Sequence, residues 1–379
     1  MRLALNAQPV DDVTPDVVAA TEPALAGIPG QPALAGIPGQ PALAGIQGQP
    51  TLAGVPAQPV IALLSNPRST GNLAMLPAVR TFVAAHPNIF HYEVDDVAEI
   101  PAALRSIARM KPVVLAINGG DGTVQKALTE LYHGGHFGES IPPVAVLPNG
   151  KTNLIAQDLG ATGNPLVALD HLLTITRGGL DSRLVQRPLI ELTDGSVGSV
   201  PVLGMFLGGA GLAEMILYCR HKIYPLGLPN WLSHLVTVLA LMLSGILRAP
   251  VRWLPKGALK LRVSVVRHGR LEGKFLFLMV TTLDRVLLNT RTQATQPGTM
   301  KLMAIEHGPA TVLRSGWAML FGRLGHTPVE GVHLDGGDEI RIDGERPSVI
   351  LDGEFYQAAK GGSIVLRTTA PVEFVSLAA

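Results

Sequence analysis

Residues 111–132 read KPVVLAINGGDGTVQKALTELY, and the fold turns on this stretch. The run 112–117 is continuously apolar, with two valines and an isoleucine, as expected of a strand buried on both faces of a parallel sheet. From 123 to 132, Val124, Ala127, Leu128 and Leu131 recur at helical spacing and predict an amphipathic helix. Between them lies Asn118-Gly119-Gly120-Asp121-Gly122. Three glycines let backbone amides come close to a ligand at a helix N-terminus, where unpaired N–H groups and the helix dipole favour an anion. Asp121 adds a carboxylate to the same turn. Beside phosphates a carboxylate is repelled unless a cation lies between, so strand–GGDG–helix points to a phosphate and Mg²⁺ site. The plainer alternative is an ordinary strand–helix turn with Asp121 or Thr123 as the N-cap.

With 379 residues, the chain is long enough for two domains, or for one and a tail. Hydrophobic content of 47% supplies a core, and a net charge of +1 offers no basic stripe for nucleic acid. A pI near 8.0 still permits weak attraction to an anionic membrane. The single cysteine, Cys219, excludes an intrachain disulfide framework and fits a reducing, cytoplasmic setting; a buried small hydrophobe is its simplest role. Residues 1–20 carry Asp11 and Asp12 without an apolar core, so no secretory signal is expected there.

Residues 23–58 are four nine-residue units, PALAGIPGQ, PALAGIPGQ, PALAGIQGQ and PTLAGVPAQ. Proline and glycine at fixed places oppose helix and central strand, and the units bury little, so a disordered tail over 1–58 is expected. Strands are expected at 59–64, 89–94, 112–117 and 143–147. Helices are expected up to about 85, over 97–110, 123–132 and 154–160, and over 165–176 before Arg177-Gly178-Gly179. Such alternation means a doubly wound parallel sheet with ligands outside the carboxyl ends of its strands. A boundary is expected near Gly179, giving an α/β domain over 59–179 and a β-sandwich over 180–379 whose last segment can return to the first domain. Strands there are expected as hairpin-like runs at 188–193 and 198–207 about Asp194-Gly195, then at 259–266, 274–282, 299–305, 329–334, 339–342, 348–351 and 363–366, with a helical piece at 309–321. The stretch 226–247 (LGLPNWLSHLVTVLALMLSGIL) is the most apolar. It reads as a core or pocket helix, a membrane-docking helix or, least readily because only 17 residues run from Trp231 to Leu247 and Ser233, His234, Thr237 and Ser244 interrupt them, a spanning one.

GGDGT resembles the nucleotide loop of the diacylglycerol kinase catalytic-domain family, which includes bacterial lipid kinases and sphingosine kinases; a similar GGDG occurs in NAD kinases and 6-phosphofructokinases. Further motifs follow in that family's order. Ser65-Asn66-Pro67-Arg68-Ser69-Thr70-Gly71 resembles its early phosphate-contacting loop, although Arg68 reads equally well as a solvated loop arginine. Pro148-Asn149-Gly150-Lys151-Thr152-Asn153 resembles P-x-G-[ST]-x-N, with Lys151 standing where the family usually has Ser or Thr. The same residues end like a Walker A loop, but Ala145 replaces its first glycine and Pro148 stiffens the turn. Leu207–Glu214 (LGGAGLAE) resembles the Gly-rich stretch between the domains, where Gly211 and Glu214 would face the lipid head group; a solvated Glu214 in a first helical turn is the plainer reading. Leu351-Asp352-Gly353-Glu354 resembles the late DGE, whose glutamate serves as general base.

The resemblance implies ATP held by Asn66, Arg68, Ser69, Gly119, Gly120, Gly122, Thr123, Gly150, Lys151, Thr152 and Asn153. It implies Mg²⁺ near Asp121 and Asp352, with Asp121 and Glu354 as catalytic carboxylates. The activity implied is an ATP-dependent kinase acting on a lipid alcohol, such as diacylglycerol or a sphingoid base, at the inner membrane face; a homodimer stays open. Asp343-Gly344-Glu345 repeats the late tripeptide nine residues earlier and competes for the base assignment. NAD kinase is the alternative activity, and a non-catalytic lipid- or nucleotide-binding protein on the same scaffold is another. Lys151 and the 283–289 segment, where the family often has a Gly-rich stretch, motivate the latter.

Overall fold

The computed structural model describes residues 60–196, 198–223, 258–266, 269–286, 290–291, 300–320, 323–325 and 327–378. The nine-residue repeat and the apolar 226–247 stretch lie outside them.

Among the described residues, the first sheet alternates with helices. Its elements are β1 (Ile61–Ser65), α1 (Asn72–Ala84), β2 (Ile89–Glu93), α2 (Ile100–Arg109), β3 (Val114–Asn118), α3 (Asp121–His133) and β4 (Val144–Val146). Then come α4 (Leu154–Asp158), α5 (Pro165–Gly178) and β5 (Leu184–Arg187). Continuous apolar runs become strands buried on both faces: β1, β3 and β4 have no exposed residue. The strand order β2-β1-β3-β4 is parallel throughout. A last strand, β19 (Val372–Val375), lies between β4 and β5, parallel to the former and antiparallel to the latter. The C-terminus therefore completes the sheet that the N-terminal half began.

The β-rich region is mostly antiparallel. It comprises β6 (Ile190–Thr193), β7 (Val202–Gly204), β8 (Phe206–Gly209), β9 (Leu259–Val265) and β10 (Gly269–Thr281), and then the small pair β11 (Arg285–Val286) and β12 (Thr290–Arg291). Further on are β13 (Met300–Glu306), β14 (Val332–Gly337), β15 (Glu339–Gly344), β16 (Ser348–Leu351), β17 (Glu354–Gln357) and β18 (Ser363–Thr368). The long β10 serves two neighbourhoods: its first half pairs with β9, and its second half lies between β8 and β13. Leu207, Val263, Phe275, Leu302, Ile342 and Leu366, from six different strands, meet in one buried core, so the strands face one another across it. Two helices, α6 (Gly211–Tyr218) and α7 (Pro309–Leu320), pack on the outer face through Leu212, Met279, Met303 and Ala318. No helix among the described residues is long and apolar enough to cross a membrane.

Two features tie the second region to the first sheet. Asp158, at the end of α4, accepts from the Asp284 amide (2.9 Å) and pairs with Arg187, which also reaches Asp284 (2.8 Å). Lys301 completes the cluster on Asp284 (2.7 Å), so the 283–284 segment is an ionic junction rather than a Gly-rich edge. The second feature is the contact between α3 and β7, described below.

Candidate active site

The helix after GGDG starts two residues earlier than the apolar pattern suggests, so Asp121 and Gly122 occupy its first turn. Gly120 is the N-cap and makes no side-chain capping bond; neither Asp121 nor Thr123 takes that role. The first amides of α3 thus have no capping side chain, which is the arrangement that suits a bound anion.

Around this turn the strand ends converge. Asn66, just past β1, donates to Thr123 Oγ1 (2.9 Å), and its own Oδ1 accepts from the Arg68 amide (2.9 Å). Buried Asn72 donates to the carbonyls of Asn66 (2.7 Å) and Asn118 (2.9 Å). Asn149, past β4, donates to Asn118 Oδ1 (2.7 Å) and to Asn72 Oδ1. These four asparagines knit three loops together, and only Asn66 was singled out from sequence. The signal was nonetheless present, since an asparagine ends or follows each of β1, β3 and β4. Gly150 lies against the α3 loop: a Cβ there would come within 3.1 Å of the Gly120 Cα and 3.5 Å of the Asp121 amide nitrogen. Its amide donates to Asn153 Oδ1 (2.6 Å), with Asn153 itself left-handed at φ 54. Ser69 Oγ is buried with no partner among the described residues, a hydroxyl that a phosphate oxygen would satisfy. Arg68 and Lys151 are exposed at the rim and Thr152 is half-buried.

The second region closes on this loop through the hairpin β16–β17. Its two-residue turn is Asp352-Gly353, both at positive φ (44 and 91), as an Asp-Gly hairpin turn requires. Asp352 points inward. Its two oxygens accept the amides of Met205 (2.8 Å) and Phe206 (2.9 Å), and a side chain at Gly204 would collide with it at 2.5 Å. Burial, with Asp121 as an added negative neighbour, pushes the Asp352 carboxyl up to about 7. Burial likewise pushes Asp121 up to about 6. Glu354 is exposed and reaches the loop: a Cβ on Gly122 would lie 2.8 Å from its Oε1. Asp121, Asp352 and Glu354 therefore share one site.

Gly211 and Glu214 open α6 at the other end of β8, where Gly209 pairs with Val349, while Phe206 sits at the Asp352 end. Asp343 bonds to Ser363 Oγ (2.6 Å) and Arg341 (2.9 Å) on β15 and β18, a surface role for the earlier Asp-Gly-Glu. Buried Gln125 and half-buried Tyr356, not singled out from sequence, join α3 to the hairpin.

No three His, Cys, Asp or Glu side chains converge as a ready-made metal cluster among the described residues. Two carboxyls raised by burial, with the Asp121 charge adding to the rise at Asp352, nevertheless fit Mg²⁺, which is held through one or two carboxylates plus phosphate oxygens.

A parallel α/β sheet followed by a mostly antiparallel β-rich region matches the fold of diacylglycerol kinase-like structures. A diacylglycerol kinase from Bacillus anthracis strain Sterne superimposes with TM-score 0.54 at 14% identity, over 84% of this chain and 98% of that one. Two further structures from the same organism, provisionally assigned as diacylglycerol kinases, give 0.56 at 15% identity (81% and 93% covered) and 0.55 at 16% (81% and 94%). Residues 60–182 match the family model of the diacylglycerol kinase catalytic domain, so the sequence resemblance holds across the loops of the first sheet. Curated protein sequences give no significant match.

Proposed function

We propose that the protein is an ATP-dependent lipid kinase that transfers the γ-phosphoryl group to the hydroxyl of a lipid alcohol, such as diacylglycerol or a sphingoid base. The observation that carries the reading is the approach of Glu354 to Gly122, which sets a carboxylate from one region over the anion-binding turn of the other. Phosphoryl transfer asks mainly for positioning and charge neutralisation. In this reading residues 59–179 bind nucleotide and 180–379 carry the lipid, with the last strand returning. Amides of Gly119, Gly120 and the first turn of α3 hold the phosphates, Ser69 donates to one of their oxygens, and Arg68, Lys151 and Thr152 lie at the rim. Asp121 would hold Mg²⁺, with Asp352 as the second carboxyl of the site, and the ion would supply neutralisation of the phosphate charge. Glu354 accepts the proton of the lipid hydroxyl as that oxygen bonds phosphorus and the bond to the ADP oxygen breaks. Such a base contributes roughly 10²–10⁴-fold. Gly211 and Glu214 line the lipid side, and the lipid is met at a membrane surface.

The test is incubation of the purified protein with labelled ATP, Mg²⁺ and a panel of diacylglycerol, sphingoid base, ceramide and monoacylglycerol in mixed micelles, with NAD as a parallel acceptor. Labelled lipid phosphate is expected. Label on NAD alone would replace this reading with an NAD kinase, and ATP binding without any transfer would leave a non-catalytic scaffold.

A further inference from the structure

Gln125 lies in α3, one turn beyond Asp121, and is buried. Its Nε2 donates to the Leu351 carbonyl (2.8 Å), and its Oε1 accepts from the Tyr356 hydroxyl (3.1 Å). Leu351 immediately precedes Asp352, and Tyr356 follows Glu354 by two residues. One primary amide therefore grips both strands of the hairpin whose turn carries the carboxylates. The grip needs a donor and an acceptor on a single planar group, which a glutamine offers and an apolar side chain of the same volume does not. Tyr356 is suited to its half, because burial and the nearby Glu354 keep the phenol protonated and therefore a donor.

The seam continues one turn further along α3. Thr129 Oγ1 donates to the Gln125 carbonyl (2.8 Å) and accepts from the Leu203 amide (3.1 Å) on β7. Leu203 leads to Met205 and Phe206, whose amides hold Asp352. So the same face of α3 touches the hairpin directly and also reaches the strand that pins the hairpin turn. Glu354 itself is exposed. Its position over Gly122 is inherited from the backbone that carries it.

We propose that Gln125 is a positioning residue for phosphoryl transfer: its amide straps the β16–β17 hairpin to α3 and so fixes the Glu354 carboxylate over the Asp121–Gly122 turn. This role rests on reading Glu354 as the general base.

Three variants test it: Gln125→Met, which keeps the volume and removes both bonds, Tyr356→Phe, which removes one, and Glu354→Gln. Amide hydrogen exchange of the 349–357 segment should quicken in Gln125→Met; unchanged exchange overturns the strap. With the best acceptor of the lipid panel, kcat per folded site should fall about 10–100-fold in Gln125→Met and less in Tyr356→Phe, with KM for ATP held within about twofold. Faster exchange with an unchanged kcat would show a merely structural amide and overturn the positioning role. In a Glu354→Gln background, Gln125→Met should cost no more than about twofold, since the group it positions is gone; a full multiplicative loss overturns the proposal. Failure of the underlying reading looks different. Glu354→Gln would then match the wild type, or no lipid would be phosphorylated, and either result removes the positioning role while exchange still reports on the strap.

Discussion

Gly122→Ala should separate catalysis from stability. Gly122 sits in the first turn of α3 with an ordinary helical backbone, so alanine fits its conformation and is favoured there by up to about 1 kcal/mol. The one collision is with the Glu354 carboxylate, at 2.8 Å from Oε1, where relaxed contact begins near 3.4 Å. The carboxylate must therefore withdraw by about 0.6 Å, and because Glu354 is exposed it can swing outward at little cost. Folding stability should stay within about 1 kcal/mol of the wild type. A base displaced by this much, with its preferred rotamer blocked, should lower kcat roughly 10- to 100-fold. Urea denaturation and steady-state kinetics on the same preparation read the two quantities, and KM for ATP separates a displaced base from a disturbed phosphate loop. A variant as stable and as fast as the wild type would refute the placement of Glu354 at the reacting centre. A loss confined to KM would move the effect to the nucleotide.

Stability should also depend on pH with a distinctive sign. The folded state holds the Asp352 carboxyl at about 7 and Asp121 at about 6, above their ordinary 3.8, so it binds more protons than the unfolded chain between those values. Stability from these groups is present in full below about pH 4 and is lost as pH rises toward 7. For Asp352 the shift corresponds to about 4 kcal/mol at about 1.36 kcal/mol per pH unit. Asp352→Asn should flatten the fall in urea-denaturation free energy between pH 4 and 8 by about that amount; a flattening under about 1 kcal/mol would contradict the buried pair. Asn72→Ala removes one partner each from the Asn66 and Asn118 carbonyls, which keep a backbone amide, and one of two from the Asn149 amide, and should cost about 1–3 kcal/mol in the same assay. A loss below about 1 kcal/mol would mean that the asparagine network is dispensable.

Much of the first sheet was legible because its code is local. A continuous apolar run, a glycine turn and a 3.6-residue stripe lie within 22 consecutive residues, and the strand–turn–helix they predict is the one observed. The boundary of α3 was two residues off, since Asp121 and Gly122 carry no apolar signal that would reveal their helical backbone. Antiparallel strands were found mostly as elements, yet β11, β12, β17 and β19 were not. The exposed face of the β17 hairpin and the brevity of β19 leave weak periodicity.

The chain's chemistry was therefore written in its order: glycine turns at strand ends, an acidic residue in one of them, and a late Asp-Gly-Glu between strand-like runs. Which of two identical tripeptides reaches the Gly-Gly-Asp-Gly turn was not. Only the packing of α3 on β7 and β16 brings Glu354 to Gly122 and leaves Asp343 on a surface ladder. Gln125 and Leu351 are 226 residues apart, and a contact across that span depends on the register of every strand between them. Local periodicity fixes what an element is; the partners it meets are decided by the burial of the whole core.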